Sequence, residues 1–200
     1  MHSYGRDYRY SPYIHVGLAA LAYGLYLLIL QGFGSGIAVH IGPIGTLSIF
    51  GLLEFLFSRW GWRLLCLIPG VHIYTFGGTY QGNITAGDGT SFPVTLTIKQ
   101  NWSQISVDFL SGNATSRSFS ASVVKDRLAK GNVELIYNYF APGTHEGEER
   151  VGAHHGTTML KRSSKGRKLS GEYYTERKRD SFGRIELRRV LRAPIDTDDE

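Results

Sequence analysis

Two apolar runs open the chain, and from Gly77 onward apolar and polar residues alternate in short stretches. The first run, IHVGLAALAYGLYLLIL (Ile14 to Leu30), contains no Asp, Glu, Lys or Arg. As a helix rising ~1.5 Å per residue, its roughly 17 residues reach about 25 Å, the short end of what crosses a bilayer core. A cleaved signal peptide fits less well, because tyrosines interrupt the run and no small-x-small site precedes the next one. The second run follows Pro43 as IGTLSIFGLLEFLF and SRWGWRLLCLIPG. It predicts a helix from about Ile44 to about Phe57 that leaves the membrane through an amphipathic segment ending at Pro69-Gly70. Trp60 and Trp62 would lie in an interfacial aromatic belt, and Arg59 and Arg63 would reach toward headgroups from one helix face. Glu54 is either a functional intramembrane carboxylate or an interfacial one paired with Arg59.

The remainder reads as strands. FPVTLTIKQ alternates Val94, Leu96 and Ile98 with polar neighbours, and WSQISVDFL places Ile105, Val107 and Phe109 on one face. In TSRSFSASVV, Ser116, Ser118, Ser120 and Ser122 share one side and Arg117, Phe119, Ala121 and Val123 the other. NVELIYNYF, AHHGTTMLK, RKLSGEYYTER and GRIELRRVLR follow, separated by turn signals. About eight strands of period two suit an antiparallel meander, and that number closes into a small β-barrel without edges. A β-sandwich is the competing fold.

Charge adds orientation. Arg6 and Arg9 precede the first helix, Arg59 and Arg63 follow the second, and the Gly-rich loop QGFGSGIAVHIGP between them has no Lys or Arg. The positive-inside bias then predicts an inner-membrane protein with both termini and the β domain cytoplasmic. The single cysteine, Cys66, precludes an intrachain disulfide framework. Net charge is +5, with basic residues concentrated in KRSSKGRK, ERKR and RIELRRVLR. That suits an anionic ligand or anionic lipid, and equally a solvated basic face beside a membrane.

Several segments together resemble a known family: GTYQG (Gly78 to Gly82), YNYFAP (Tyr137 to Pro142), HHGT (His154 to Thr157) and LSGEYYTER-x5-G-x-I-E-L, in that order behind a helical hairpin. They are similar to the two-transmembrane β-barrel effectors associated with CD-NTases in the bacterial antiphage signalling systems called CBASS. The resemblance runs from the first helix to about Arg192. It implies a two-helix transmembrane region over 1–70 and a cyclic-nucleotide-sensing barrel over 71–193, and composition adds an acidic tail over 194–200, ending in DTDDE. It also implies that a CD-NTase makes a cyclic dinucleotide on infection, that the barrel binds it as activating ligand, and that the effector forms a homo-oligomer and disrupts the bilayer, killing the cell.

The residues can be asked separately whether they suit such a ligand. Bases want aromatic platforms, and phosphates want Arg, Lys and hydroxyl donors. The candidates are Tyr80, Arg117, Ser118, Tyr137, Tyr139, His155, Thr157, Tyr173, Thr175 and Arg177. For each, a place in the barrel core or wall is the competing role. Pattern alone does not assign His154 and His155 to an inner or outer face. No metal-ligand spacing, nucleophile motif or phosphate loop is present, so the chain reads as no enzyme, without cofactor and without a DNA or RNA partner. The alternative function is a membrane-anchored, lipocalin-like barrel carrying a lipid or other small apolar ligand.

Overall fold

The computed structural model describes residues 1–6, 11–33, 38–68, 73–112, 114–125, 133–143, 152–163, 166–176 and 181–190. The chain divides into two compact units: Met1–Asp7 with Tyr74–Gln100 and Gln104–Glu200, and Tyr8–Ile73 with Asn101–Ser103. The expected tail over 194–200 lies outside the described residues.

The helical unit holds α1 (Ser11–Phe33), α2 (Ala38–Arg59) and a 3-10 helix (Gly61–Leu67). Among the described residues, α1 is the one helix long and apolar enough to cross a membrane, over Ser11–Gly32. Of the expected transmembrane hairpin, that property therefore belongs to the first helix alone. α2 starts before Pro43 and runs through it. Glu54 pairs with His15 of α1, Oε2 to Nδ1 at 3.2 Å, and not with Arg59, whose guanidinium lies 5.6 Å from the centre of the Trp60 ring. Trp62 turns its ring into the protein. It is buried, 6.5 Å from Trp102, which in turn meets Phe57 edge-on at 5.2 Å.

The other unit is an eight-stranded antiparallel β-barrel: β3 (Gly78–Ala86), β4 (Ser91–Gln100), β5 (Gln104–Ser111), β6 (Ala114–Lys125), β7 (Val133–Ala141), β8 (His154–Arg162), β9 (Lys168–Thr175) and β10 (Phe182–Arg189). Each strand pairs with the next, and β10 returns to β3 from Gly183↔Ala86 to Arg189↔Tyr80, which closes the sheet and excludes a sandwich. Alternation supplies the core. Val94, Leu96 and Ile98 point inward, as do Ile105, Val107, Leu135, Tyr137, Leu160, Leu169, Ile185 and Leu187. Small residues make room where strands crowd: a Cβ on Gly82 would overlap the Glu186 carbonyl, and one on Gly171 the Met159 carbonyl.

One seam is irregular. β5 and β6 pair only from Asp108↔Arg117 to Ser111↔Ala114. Beyond that a bulge at Phe119 shifts the register of β6 against β7. Two short strands fill the opening: β1 (His2–Ser3) runs antiparallel on β5, and β2 (Gly5–Arg6) runs parallel on β6. The bulge also corrects the predicted serine face of β6. Ser118 is buried before it and Val123 after it, so the inward parity changes within the strand.

Candidate ligand-binding site

The two ends of the barrel differ. At the end carrying the β4–β5 and β8–β9 connections, the interior is filled. Tyr80 donates its hydroxyl to the Phe76 carbonyl at 2.9 Å. Arg162 Nη1 donates to the Thr75 carbonyl at 2.6 Å and Arg189 Nη2 to the Gly77 carbonyl at 2.9 Å. The segment before β3 is thereby tied across that mouth. Burial pushes the Tyr80 phenol up, against the opposing pull of the Arg189 and Arg162 charges. These two arginines hold backbone carbonyls, which accounts for part of the basic C-terminal pattern.

At the opposite end, beside the β3–β4, β5–β6, β7–β8 and β9–β10 connections, the barrel holds a cavity of about 220 Å³. Tyr137, Tyr139 and Tyr173 form one aromatic wall and Phe92 and Phe109 another, with Ser111, Ser116, His154, Thr158 and Ser181 supplying polar atoms. The rings are mutually inclined: Tyr137 and Tyr139 are 6.2 Å apart at 52°, and Tyr139 meets His154 edge-on at 6.2 Å. Tyr137 is the deepest of them. Burial pushes its phenol well up, and the Thr158 hydroxyl acts in the opposite direction. Among the described residues no Lys or Arg lines the cavity. The chamber suits a planar heteroaromatic ring bearing polar edges better than a phosphate.

The structure thus brings together Tyr137, Tyr139, Tyr173 and Thr175 from the residues expected to meet ligand. Thr175 is already engaged: its hydroxyl donates to the Ser181 carbonyl at 3.0 Å and accepts from the Ser181 N–H at 2.9 Å. The other candidates lie on another face or at the other end of the barrel. Tyr80 belongs to the filled mouth. Arg117 projects outward, its Nε donating to Asp108 Oδ1 at 2.6 Å. His155 is outside too, against Phe119 and Phe140 at 5.7 and 5.0 Å between ring centres. Thr157 donates to Asn138 Oδ1 at 2.6 Å in an outer-wall ladder that continues to Ser120. Ser118 sits in the seam, its oxygen accepting from the Val107 N–H at 2.9 Å and meeting His2 Nε2 at 2.8 Å. Arg177 lies outside the described residues.

His154, Thr158 and Phe109 are lining residues missing from the expected set. Phe109 was legible as the third inward position of its strand. His154 and Thr158 share parity with buried Leu160, but the neighbouring Met159 left that parity ambiguous.

The family model for the Cap15 cyclic dinucleotide receptor domain matches residues 71–189, a stretch that contains β3 to β10 in full. The chain belongs to this family. No curated protein matches it. The barrel is therefore a Cap15 cyclic dinucleotide receptor domain, and the described part of it contains no group of three or more His, Cys, Asp or Glu placed to hold a metal ion.

Proposed function

We propose that this chain is a CBASS effector whose barrel cavity receives one half of a cyclic dinucleotide, and that ligand-driven self-association turns the helices into a membrane-disrupting assembly. The observation that carries the reading is the match between the receptor family and a cavity walled by Tyr137, Tyr139 and Tyr173. Pockets that enclose drug-sized ligands span ~300–1,000 Å³. A cavity of about 220 Å³ takes a base with part of its sugar and leaves the rest of a cyclic dinucleotide at the mouth. The second base, which offers the same chemistry as the first, then faces a second barrel. That would supply the differential affinity a ligand needs to drive assembly. Helix α1 supports residence in the membrane, and the two arginine pairs flanking α1 and α2 support the inner membrane with both termini cytoplasmic. A lipid-carrying barrel is less well supported, because aliphatic side chains, Phe76 and Tyr80 fill the half that an acyl chain would need.

The test is calorimetry on the full-length protein in detergent with a panel of cyclic dinucleotides, with light scattering on the same samples. Binding by at least one compound, with a rise in particle mass, is the expected result. Absence of binding from a folded sample overturns the receptor reading. Binding without mass increase overturns the assembly step alone. A reporter fused to the C-terminus reads the topology, and a periplasmic signal overturns it.

A further inference from the structure

The seam between β5 and β6 is a slot with a specific occupant. Below their few shared pairs the two strands part, and residues 2–6 lie between them, His2↔Ile105 and Ser3↔Gln104 on one side, Gly5↔Ser122 and Arg6↔Val123 on the other. Unfilled, both strands would present bare N–H and C=O groups. Recognition goes beyond the backbone. Tyr4 enters the barrel core with 9% exposure, and its hydroxyl accepts from Gln100 Nε2 at 3.1 Å. Gln100 Oε1 in turn accepts from the Phe76 N–H at 2.7 Å, which links the slot to the strap across the filled mouth. His2 reaches Ser118 at 2.8 Å. At Gly5 a Cβ would stand 2.9 Å from Ser122 Oγ, so a side chain there requires the Ser122 hydroxyl to turn away.

We propose that this slot is an exchangeable strand-docking site whose second occupant is residues 2–6 of another copy of the chain. The resident strand is held by two paired residues on each side and by the buried Tyr4 ring, so an incoming strand gains what the outgoing one gives up. Residues 7–10 alone separate it from α1, which belongs to the other compact unit. A strand from a neighbour makes the same hydrogen bonds, buries the same tyrosine and brings the same Gly5 against Ser122. Exchange therefore replaces like with like, the condition under which domain swapping proceeds. Confinement of chains in a bilayer raises the local concentration that favours the intermolecular form. The inference stands apart from ligand binding, and it supplies a second barrel-to-barrel link if assembly occurs.

Disulfide trapping tests it. The Cβ built on Gly5 lies 3.5 Å from Ser122 Cβ, within the ~3.5–4.5 Å that a disulfide spans. In full-length protein with Cys66→Ser, one population carries Gly5→Cys and another Ser122→Cys, each with a different C-terminal tag. The two are co-reconstituted in vesicles and oxidised. The expected result is a reducible dimer bearing both tags, more abundant as the protein-to-lipid ratio rises. A synthetic peptide of residues 1–7 should reduce that dimer, and the same peptide with Tyr4→Ala, which lacks the buried ring, should not. A chain carrying both cysteines reports closure in cis. Closure in cis with no mixed dimer at any ratio overturns exchange. Failure to close in cis overturns it as well, because the strand would then not occupy the slot.

Discussion

Tyr139 stands directly across from Gly156 in the β7–β8 ladder, and a Cβ on that glycine would overlap the phenol ring and its hydroxyl. Tyr173 has the same relation to Gly183 between β9 and β10, where a Cβ would stand 2.6 Å from the ring. Each glycine lets a tyrosine lie over the neighbouring strand along the cavity wall. The aromatic inventory and the interior glycines are thus one design.

Gly156→Ala should push the Tyr139 ring toward the cavity and press on the Tyr174 carbonyl, 2.6 Å from the new Cβ. Overpacking of this kind costs about 1–3 kcal/mol. A lower melting temperature and weaker cyclic dinucleotide binding by calorimetry are expected. An unchanged melting curve would mean that the ring has another place to go.

The inside and outside of the wall should separate in binding. Tyr173→Ala removes a lining ring, and loss of a stacking platform costs about 1–3 kcal/mol per base, roughly 5- to 150-fold in affinity. Arg117→Ala breaks an exposed ion pair with Asp108 and should leave affinity unchanged and stability within about 1 kcal/mol. The opposite pattern in titrations of the two variants would place the ligand on the outer face.

Tyr80→Phe tests the filled end. It removes the hydrogen bond to the Phe76 carbonyl, for which about 0.5–1.5 kcal/mol of stability is expected. Ligand affinity should not move. Loss of binding in a variant of normal stability would assign Tyr80 to the site after all.

Alkaline pH should reveal the buried phenol of Tyr137. Its pKa is raised in the folded barrel above the ordinary value of 10.0, because burial disfavours the phenolate. The unfolded chain therefore releases this proton first as pH rises. The associated stability is fully present below the ordinary value and is lost progressively above it. Denaturant titrations of wild type should show that decline, and Tyr137→Phe should flatten it.

Much of this architecture was legible in the one-dimensional pattern. The uncharged run from Ile14 to Leu30 lies wholly within α1. Strict alternation placed Val94, Leu96 and Ile98, then Ile105 and Val107, inside the barrel, since period two and a single apolar parity leave one choice of face. The order of short segments such as YNYFAP and HHGT pointed to the receptor family.

Which candidates meet the cavity was settled only in three dimensions. Period two states that neighbours oppose each other, but not which of two mixed parities turns inward, so the adjacent histidines went to opposite sides. A bulge adds one residue and exchanges the two faces, as happens between Ser118 and Ser120. Arg117 became a surface residue because register set it opposite Asp108. Residues 2–6 carry no strand signal of their own, and they pair where β5 and β6 part beyond Asp108↔Arg117. Local pattern determined the strands and their faces where one parity is apolar. Closure of the sheet decided register, which rim carries a cavity, and which segment completes the wall, because those depend on partners distant in sequence.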